Sequence, residues 1–224
     1  GDLEHFPFNQ PNVPGTFRLE GQFSGLSVDY DPSRPGQPNW PQVTQAQGKL
    51  VFDKLSLSVD ASSAVLLGTN GALVNVTRLA LKLPDFDLRP ELSFDAVLNG
   101  QAKDYLTVLR QAPLPSGFKP TLDRLEVAGL LTVPLSLSMR LDTDQPPQVK
   151  GQVTFAGNTV GLGAELPVLE NVRGAIEFSE QSVRTDNLSV QFLGGQSLLR
   201  GAWGESAQSL QAEGTITVAG LKDL

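Results

Sequence analysis

A strict alternation of apolar and polar residues is the feature of this sequence that most limits what it can fold into. In KLSLSVD (54–60), Leu55, Leu57 and Val59 fall on one side and the serines between them fall on the other. A period of two is typical of strands that bury one face and expose the other to solvent, as in antiparallel sheets. The same alternation recurs in FRLEGQF (17–23), ELSFDAVL (91–98), PLSLSMRL (134–141), KGQVTFAG (150–157) and NLSVQFLGG (187–195). The sequence therefore predicts a mainly β protein.

One segment departs from this period. QAKDYLTVLRQA (101–112) has a helical period, and Pro113 directly after it would end a helix. The predicted helical stripe consists of Ala102, Tyr105, Leu106, Leu109 and Ala112. We expect PLPSGFKPTL (113–122) to be a Pro-rich connector and DPSRPGQPNWP (31–41) to be a loop.

A long segment of the chain is repeated with an altered sequence. WPQVTQAQGKLVFDKLSLSVDASSAVLLG (40–68) and LPVLENVRGAIEFSEQSVRTDNLSVQFLG (166–194) share a frame of one proline, two glycines and one phenylalanine. The shared positions are Pro41 and Pro167, Gly48 and Gly174, Phe52 and Phe178, and Gly68 and Gly194. The displacement is 126 residues throughout (167 minus 41). Such a repeat predicts sheet units that stack on their neighbours in an elongated protein.

The repeat also suggests where the units begin. GQFSG (21–25) resembles GQVTFAG (151–157), which returns as GTITVAG (214–220). We expect a first unit over 1–145 including the helix, a partial second unit over 146–207, and the first strand of a third over 208–224. We also expect the chain to be a piece of a longer protein.

Composition excludes several classes of function. The chain has 224 residues, 40% of them hydrophobic, which is enough to bury a core. Its net charge of -7 argues against nucleic acid and against docking on an anionic membrane through a basic patch. The sequence has no cysteine, which excludes disulfides, thiolate metal sites and thiol nucleophiles. It contains neither an apolar run of 18 residues nor a signal peptide.

No catalytic or metal-binding arrangement is recognisable. His5 is the only histidine and lies in the N-terminal fringe, so a Ser-His-Asp arrangement has no other base to use. Pairs of aspartates such as Asp85 and Asp87 lack the spacing of a calcium loop and are interpreted as solvated turn residues. We therefore expect no enzymatic activity, no catalytic residue, no metal and no cofactor.

What remains is the apolar face of the predicted strands. In an ordinary sandwich it would close against a second sheet, which would suit a structural or protein-interaction module. Alternatively, the sheet curls into an open trough with an apolar inner face. Alternation alone does not choose between them.

The order of the segments resembles the central region of the YhdP family, which are AsmA-like proteins of Gram-negative bacteria. The segments that carry the resemblance are GTFRLEGQFSGLSVDYDP, NWPQVTQAQGKLVFD, NGQAKDYLTVLRQAPL, LEVAGLLTVPLSLSMRL, VKGQVTFAG, LPVLENVRGAIEFSEQSVRTDNLSVQFLGG and GTITVAG. The resemblance covers about residues 5–220.

The resemblance implies curled antiparallel sheets in stacked, repeating β-groove units. It implies a periplasmic segment of a bridge-like phospholipid transporter that is anchored in the inner membrane by an N-terminal helix and reaches the outer membrane. The implied partners are phospholipid acyl chains and the two membranes, and the fragment alone could dimerise through its exposed lining and strand edges. The resemblance supplies no catalytic residue.

Within this interpretation, eight residues on the apolar sides of the alternating strands are expected to line a shared lipid groove. They are Phe23, Leu57, Phe94, Leu137, Phe155, Phe178, Val190 and Phe192.

Overall fold

The structure of the chain is a computed structural model. It describes residues 3–8, 10, 12, 14–30, 40–87, 90–114, 117–163, 166–204 and 208–220. Most of the loop expected over 31–41 therefore lies outside the described residues, as do the last four residues of the expected third unit.

Antiparallel strands dominate the described residues. They are β1 (Arg18–Val28), β2 (Gln42–Asp53), β3 (Ser56–Leu67), β4 (Leu73–Leu83), β5 (Glu91–Gln101), β6 (Glu126–Ala128), β7 (Leu130–Arg140), β8 (Gln148–Gly161), β9 (Leu169–Ser179), β10 (Ser182–Phe192), β11 (Gly195–Gly204) and β12 (Gln208–Gly214). The helices are α1 (Ala102–Gln111) and α2 (Lys119–Arg124), and Leu3–His5 and Thr69–Gly71 form single 3-10 turns.

The strands form one sheet that follows the order of the chain. Its order is β1-β2-β3-β4-β5-β7-β8-β9-β10-β11-β12, and the short β6 pairs beside this path with β8. The sheet does not close on itself. The predicted mainly β, antiparallel fold is therefore confirmed. Within the described residues the strands form one sheet and not two facing sheets, so a closed sandwich is not the architecture.

The two faces of the sheet differ sharply in polarity. In the middle of the sheet, Leu81 pairs with Phe94 and Phe94 pairs with Leu137. One residue further along β5, on the opposite face, Asp95 pairs with Ser136, whose hydroxyl lies 2.5 Å from an Asp95 carboxylate oxygen. The alternation in the sequence therefore separates an apolar face from a polar face, as a pleated strand requires.

The helix expected over 101–112 is present as α1. It begins at Ala102, whose backbone N–H donates to the carbonyl of Gly129 over 2.8 Å, and ends just before Pro113. The predicted stripe is right except at Leu109, which is 36% exposed, whereas Val108 is buried. Val108 is buried because its side chain packs against Gly68, at the turn that leads from β3 to β4.

The connector expected over 113–122 is partly wrong, because the chain forms α2 from Lys119. Pro120 lies in the first turn of α2, where a missing N–H costs nothing. The Arg110 guanidinium of α1 donates to the carbonyls of Leu122 and Leu125 over 2.8–3.1 Å and so ties the two helices together.

The two copies of the repeated segment occupy equivalent places in the sheet. Gly48 of β2 pairs with Phe23 of β1, and Gly174 of β9 pairs with Phe155 of β8. β7 pairs with β8 and β11 pairs with β12, so the same sheet lies on both sides of each expected boundary, and the boundaries of the three expected units stay a prediction.

The motif expected to begin a third unit behaves differently from its earlier copy. β12 ends at Gly214, so most of GTITVAG (214–220) lies beyond the strand. Leu193 and Gly194 form the turn before β11, so β11 offers no further strand residues for pairing beyond Gly195. The Thr217 N–H instead donates to the Leu193 carbonyl in that turn over 3.1 Å.

Candidate functional site

One register row crosses the sheet from its first strand to its last. Each member is the lateral partner of the next, and we call this set the central row. Eleven strands of the described part of the chain lie along the path, so at about 4.8 Å per step the row is about 48 Å long. Its members are Phe23, Gly48, Ala61, Leu79, Ala96, Leu135, Gly151, Phe178, Val183, Trp203 and Gln208. No member is charged, and only the last is polar.

A second row of the same character runs beside the central row. It begins on β1 and ends on β8, and we call it the flanking row. Its members are Gly21, Leu50, Val59, Leu81, Phe94, Leu137 and Val149. The two rows form a strip of the apolar face that carries no ionisable side chain across seven of the strands.

The structure places all eight residues predicted for the groove on this same face. Phe23 and Phe178 belong to the central row, and Phe94 and Leu137 belong to the flanking row. Leu57 pairs with Phe52 and Leu83 beside the flanking row. The remaining three, Phe155, Val190 and Phe192, pack together toward the other end of the strands. Their role in binding lipid stays a prediction.

The apolar face is covered at one end of the strands only. α1 packs there against β4, β5 and β6, and Tyr105 and Val108 of α1 join one buried cluster with Val74, Leu131 and Val133. Beyond that cover, Leu137 and Phe94 are only half-buried, as are the other large side chains of the flanking row. The uncovered part of the face therefore exposes apolar surface over several adjacent strands, and such patches commonly mark binding sites.

Val190 differs from the other seven predicted residues. It is 1% exposed and packs with Val172 and Leu188 in a buried cluster, whereas the other seven are half-buried. Val190 is therefore part of the packed core of the second repeat. A charge placed there would be buried, and it could not remain hydrated as on an open face.

The glycines of the repeated frame mark close approaches between strands. A Cβ at Gly48 would overlap the Asp60 carbonyl oxygen of β3, and a Cβ at Gly174 would overlap the Asn187 carbonyl oxygen of β10. Gly174 also has a φ of 122°, in the region that favours glycine. The glycine pair Gly48 and Gly174 of the frame is thus explained by a close approach of the neighbouring backbone in both copies.

At four positions of the central row the residue is glycine or alanine, so no large side chain projects from the sheet there. Gly151 lies under the ring of Phe178, and a Cβ at Gly151 would overlap that ring. Gly48, Ala61 and Ala96 are small in the same way. The sequence prediction did not include these four residues, because their importance depends on cross-strand register. A glycine inside an alternating strand was the available signal.

The opposite face carries the charges, and ion pairs organise them at strand ends. Arg18 contacts Glu20 and Asp53, and Arg140 contacts Asp142 at 2.6 Å. The hydrogen bond from Arg140 lowers the pKa of the Asp142 carboxyl. These pairs are exposed, so each contributes little to stability. Arg184 and Asp186 form a similar pair, again two residues apart on one strand.

The described residues contain no group of three His, Cys, Asp or Glu side chains that could hold a metal ion. Among the same residues, none of the helices has the length and apolar character needed to cross a bilayer.

Comparison with known proteins gives one finding. No curated protein and no solved structure is significantly similar to this chain. The family model described as YhdP protein matches residues 1–224, which is the whole chain. The chain therefore belongs to the YhdP family, whose members are AsmA-like proteins of the cell envelope.

Proposed function

We propose that this chain is a periplasmic segment of a bridge-like phospholipid transporter, and that its apolar face is the floor of a groove that shields acyl chains. The observation that carries the proposal is the uncharged strip formed by the central and flanking rows. It runs across the strands and is largely uncovered.

The physical need for such a surface follows from the cost of moving a lipid through water. An acyl chain loses about 0.8 kcal/mol for each methylene that leaves an apolar environment. A chain of about 16 carbons would therefore lose on the order of 10 kcal/mol if it crossed water alone. A strip of uniform apolar character offsets most of this cost at every step.

The composition of the two rows also suits the movement of an acyl chain along them. Apart from Trp203 and Gln208 at the β12 end of the central row, they consist of Leu, Val, Phe, Ala and Gly at comparable spacing, so an acyl chain that shifts by one strand meets a similar surface. The polar headgroup would remain in water at the open side. The polar face, with its exposed ion pairs, faces the aqueous periplasm in this proposal.

The proposed partners are phospholipid acyl chains along the strip, the inner membrane through an N-terminal anchor, and the outer membrane at the other end of the full-length protein. Within the described residues, β1 and β12 each pair on one side only. These free edges could join two copies of the isolated chain, because an unpaired strand edge accepts another strand.

Site-specific crosslinking tests the proposal. A benzophenone amino acid replaces Phe94 on the apolar face in one variant and Thr154 on the polar face of β8 in the other. Each purified chain is irradiated with phospholipid vesicles and analysed by intact mass. We expect a lipid adduct with the probe at position 94 and none at position 154. Equal labelling at the two positions, or none at position 94, would refute the proposal.

A further inference from the structure

The apolar face is packed at one end of the strands and open toward the other. We call the end that α1 covers the closed end, and the opposite end, which holds the β2–β3, β4–β5, β7–β8 and β9–β10 turns, the turn end. The three buried apolar clusters that the described residues form lie in the middle of the strands or toward the closed end. One is the α1 cluster around Tyr105 and Val108. The others consist of Ala46, Ala64, Val76 and Ala96, and of Val160, Val172, Leu188 and Val190.

Hydrogen bonds fix both ends of α1 over the closed end. At the start of the helix, the Ala102 N–H donates to the Gly129 carbonyl over 2.8 Å. At its last residue, the Gln111 side-chain oxygen accepts the Thr69 N–H at 3.0 Å, and the Gln111 side-chain nitrogen donates to the Thr69 hydroxyl. The closed end is therefore a fixed boundary. A charged headgroup placed there would lose its hydration among apolar side chains, which is costly.

Between the α1 cluster and the turn end, the apolar face is open over the depth of one layer of acyl chains. On β7 this part holds Leu135, Leu137 and Met139, which are half-buried, and Met139 pairs with Leu92 of β5. At about 3.3 Å per residue, Leu135 and Met139 are about 13 Å apart along the strand. The hydrocarbon core of a bilayer is about 30 Å thick, so one layer of acyl chains is about 15 Å deep. The two depths agree.

The turn end suits a hydrated headgroup. The turns there expose polar and charged side chains of both signs, so a headgroup beside them can keep its water. They include Lys54, Asp87, Asp142, Asp144, Glu180 and Gln181. Along the strands, the apolar face therefore changes from buried hydrocarbon at the closed end to solvated polar groups at the turn end. A phospholipid has the same gradient along its own length.

We propose that a phospholipid on the apolar face lies along the strands, with the methyl ends of its acyl chains against the α1 cluster and its headgroup at the turn end. The inference rests on the proposed function and adds the direction in which the lipid is bound. The acyl chains then cross the central and flanking rows, and the lipid moves sideways from strand to strand. α1 limits how deep a chain enters, so a longer chain places the headgroup further out.

Distances between spin labels test this direction, and the absence of cysteine from the chain allows one label at a chosen position. Gln145→Cys places the label at the turn end, and Lys103→Cys places it on α1; both residues are exposed. Each labelled chain is incubated with phosphatidylcholine vesicles that carry a nitroxide on the headgroup or at the end of an acyl chain. It is then re-isolated with its bound lipid, and the distances are measured by pulsed electron paramagnetic resonance.

The two positions should give opposite results. From position 145, the headgroup nitroxide should be nearer than the chain-end nitroxide by about 15 Å, the depth of one acyl layer. From position 103, the headgroup nitroxide should be the farther one by a similar amount. Lipids with longer chains should increase the distance from position 103 to the headgroup and leave the distance to the chain end unchanged. If a labelled chain does not fold, Thr143→Cys and Asp123→Cys, also at exposed residues, give the same comparison.

The possible results separate this inference from the proposed function. A headgroup nitroxide nearer to position 103 than the chain end would overturn the inference alone, because the lipid would then point the other way. Equal distances for the two nitroxides would also overturn it, because the chains would then lie across the strands. Re-isolated chains without bound lipid would overturn the proposed function as well.

Discussion

Leu137→Asp tests whether the apolar face is open. Leu137 lies on β7 between Phe94 and Val149, and it is half-buried. Full burial of a leucine contributes about 1.5–3 kcal/mol, so loss of this partial burial costs about 1–2 kcal/mol. The poor strand propensity of aspartate adds up to about 1 kcal/mol. We expect the free energy of unfolding to fall by about 2–3 kcal/mol.

The folded variant should nevertheless survive. At about 2–4 °C per kcal/mol for a chain of this size, the melting temperature should fall by about 5–10 °C. The new carboxylate can stay hydrated, because no second layer of the described residues covers Leu137. In a closed core the same change would bury an unpaired charge and would cost several kcal/mol more.

The effect on lipid should be larger than the effect on the fold. An acyl chain that avoids the hydrated carboxylate exposes at least two methylenes, which costs about 1.6 kcal/mol. That is more than tenfold in the occupancy of this step. The assay follows a fluorescent phospholipid from donor to acceptor vesicles in the presence of the chain, and we expect transfer to fall by at least tenfold.

Thr154→Asp is the matched control, since it places the same residue on the polar face of the neighbouring strand β8. It should lower the melting temperature slightly and leave transfer unchanged. An unfolded Leu137→Asp chain would mean that the face is closed in solution. A folded variant with normal transfer would mean that the flanking row is not the lipid path.

Three further changes have defined outcomes. Val190→Asp should lower the free energy of unfolding by about 4 kcal/mol or more in urea titrations, because its side chain is 1% exposed; a loss under about 1 kcal/mol would contradict this packing. Gly174→Ala should lose about 2 kcal/mol or more, whereas Gly25→Ala, with φ of 67° and open space around it, should lose about 1 kcal/mol; equal losses would show that the close approach is not limiting. The pKa of Glu180 is lowered by its own N–H and that of Val149, so its contribution to stability is present at neutral pH and is lost as the pH falls below its ordinary value of 4.5. Glu180→Gln should therefore flatten the fall of melting temperature below pH 4.5, and an unchanged profile would exclude this contribution.

Strand alternation predicts which face a residue occupies but not what lies above it. Phe94, Leu137 and Val190 occupy similar alternating positions in the sequence, and all three lie on the apolar face. Only Val190 is fully buried, because the packing around it comes from residues distant in sequence, such as Val172 on β9. Whether other residues cover a side chain depends on the tertiary structure and not on the local sequence pattern. The sequence prediction therefore treated all three residues as equivalent.

Local signals explain which helix could be predicted. α1 has a long enough apolar period and a proline at its end, so both its existence and its limits follow from the sequence. α2 has six residues and begins within a Pro-rich stretch, so its period is too short to detect. The central row was also inaccessible, because strand register depends on irregularities such as the positive φ of Gln45 and Asn171.

The sheet order has a consequence for how such proteins change in length. Neighbouring strands are antiparallel and follow the chain in sequence. Insertion of one strand would therefore reverse the direction of every later strand in the sheet. Insertion of a hairpin restores the direction and extends the sheet by two spacings, about 9.6 Å. The even step also returns the apolar residues to the same face when the register is kept. The span of a protein built in this way should therefore evolve in increments of one hairpin, without any redesign of the surface it carries.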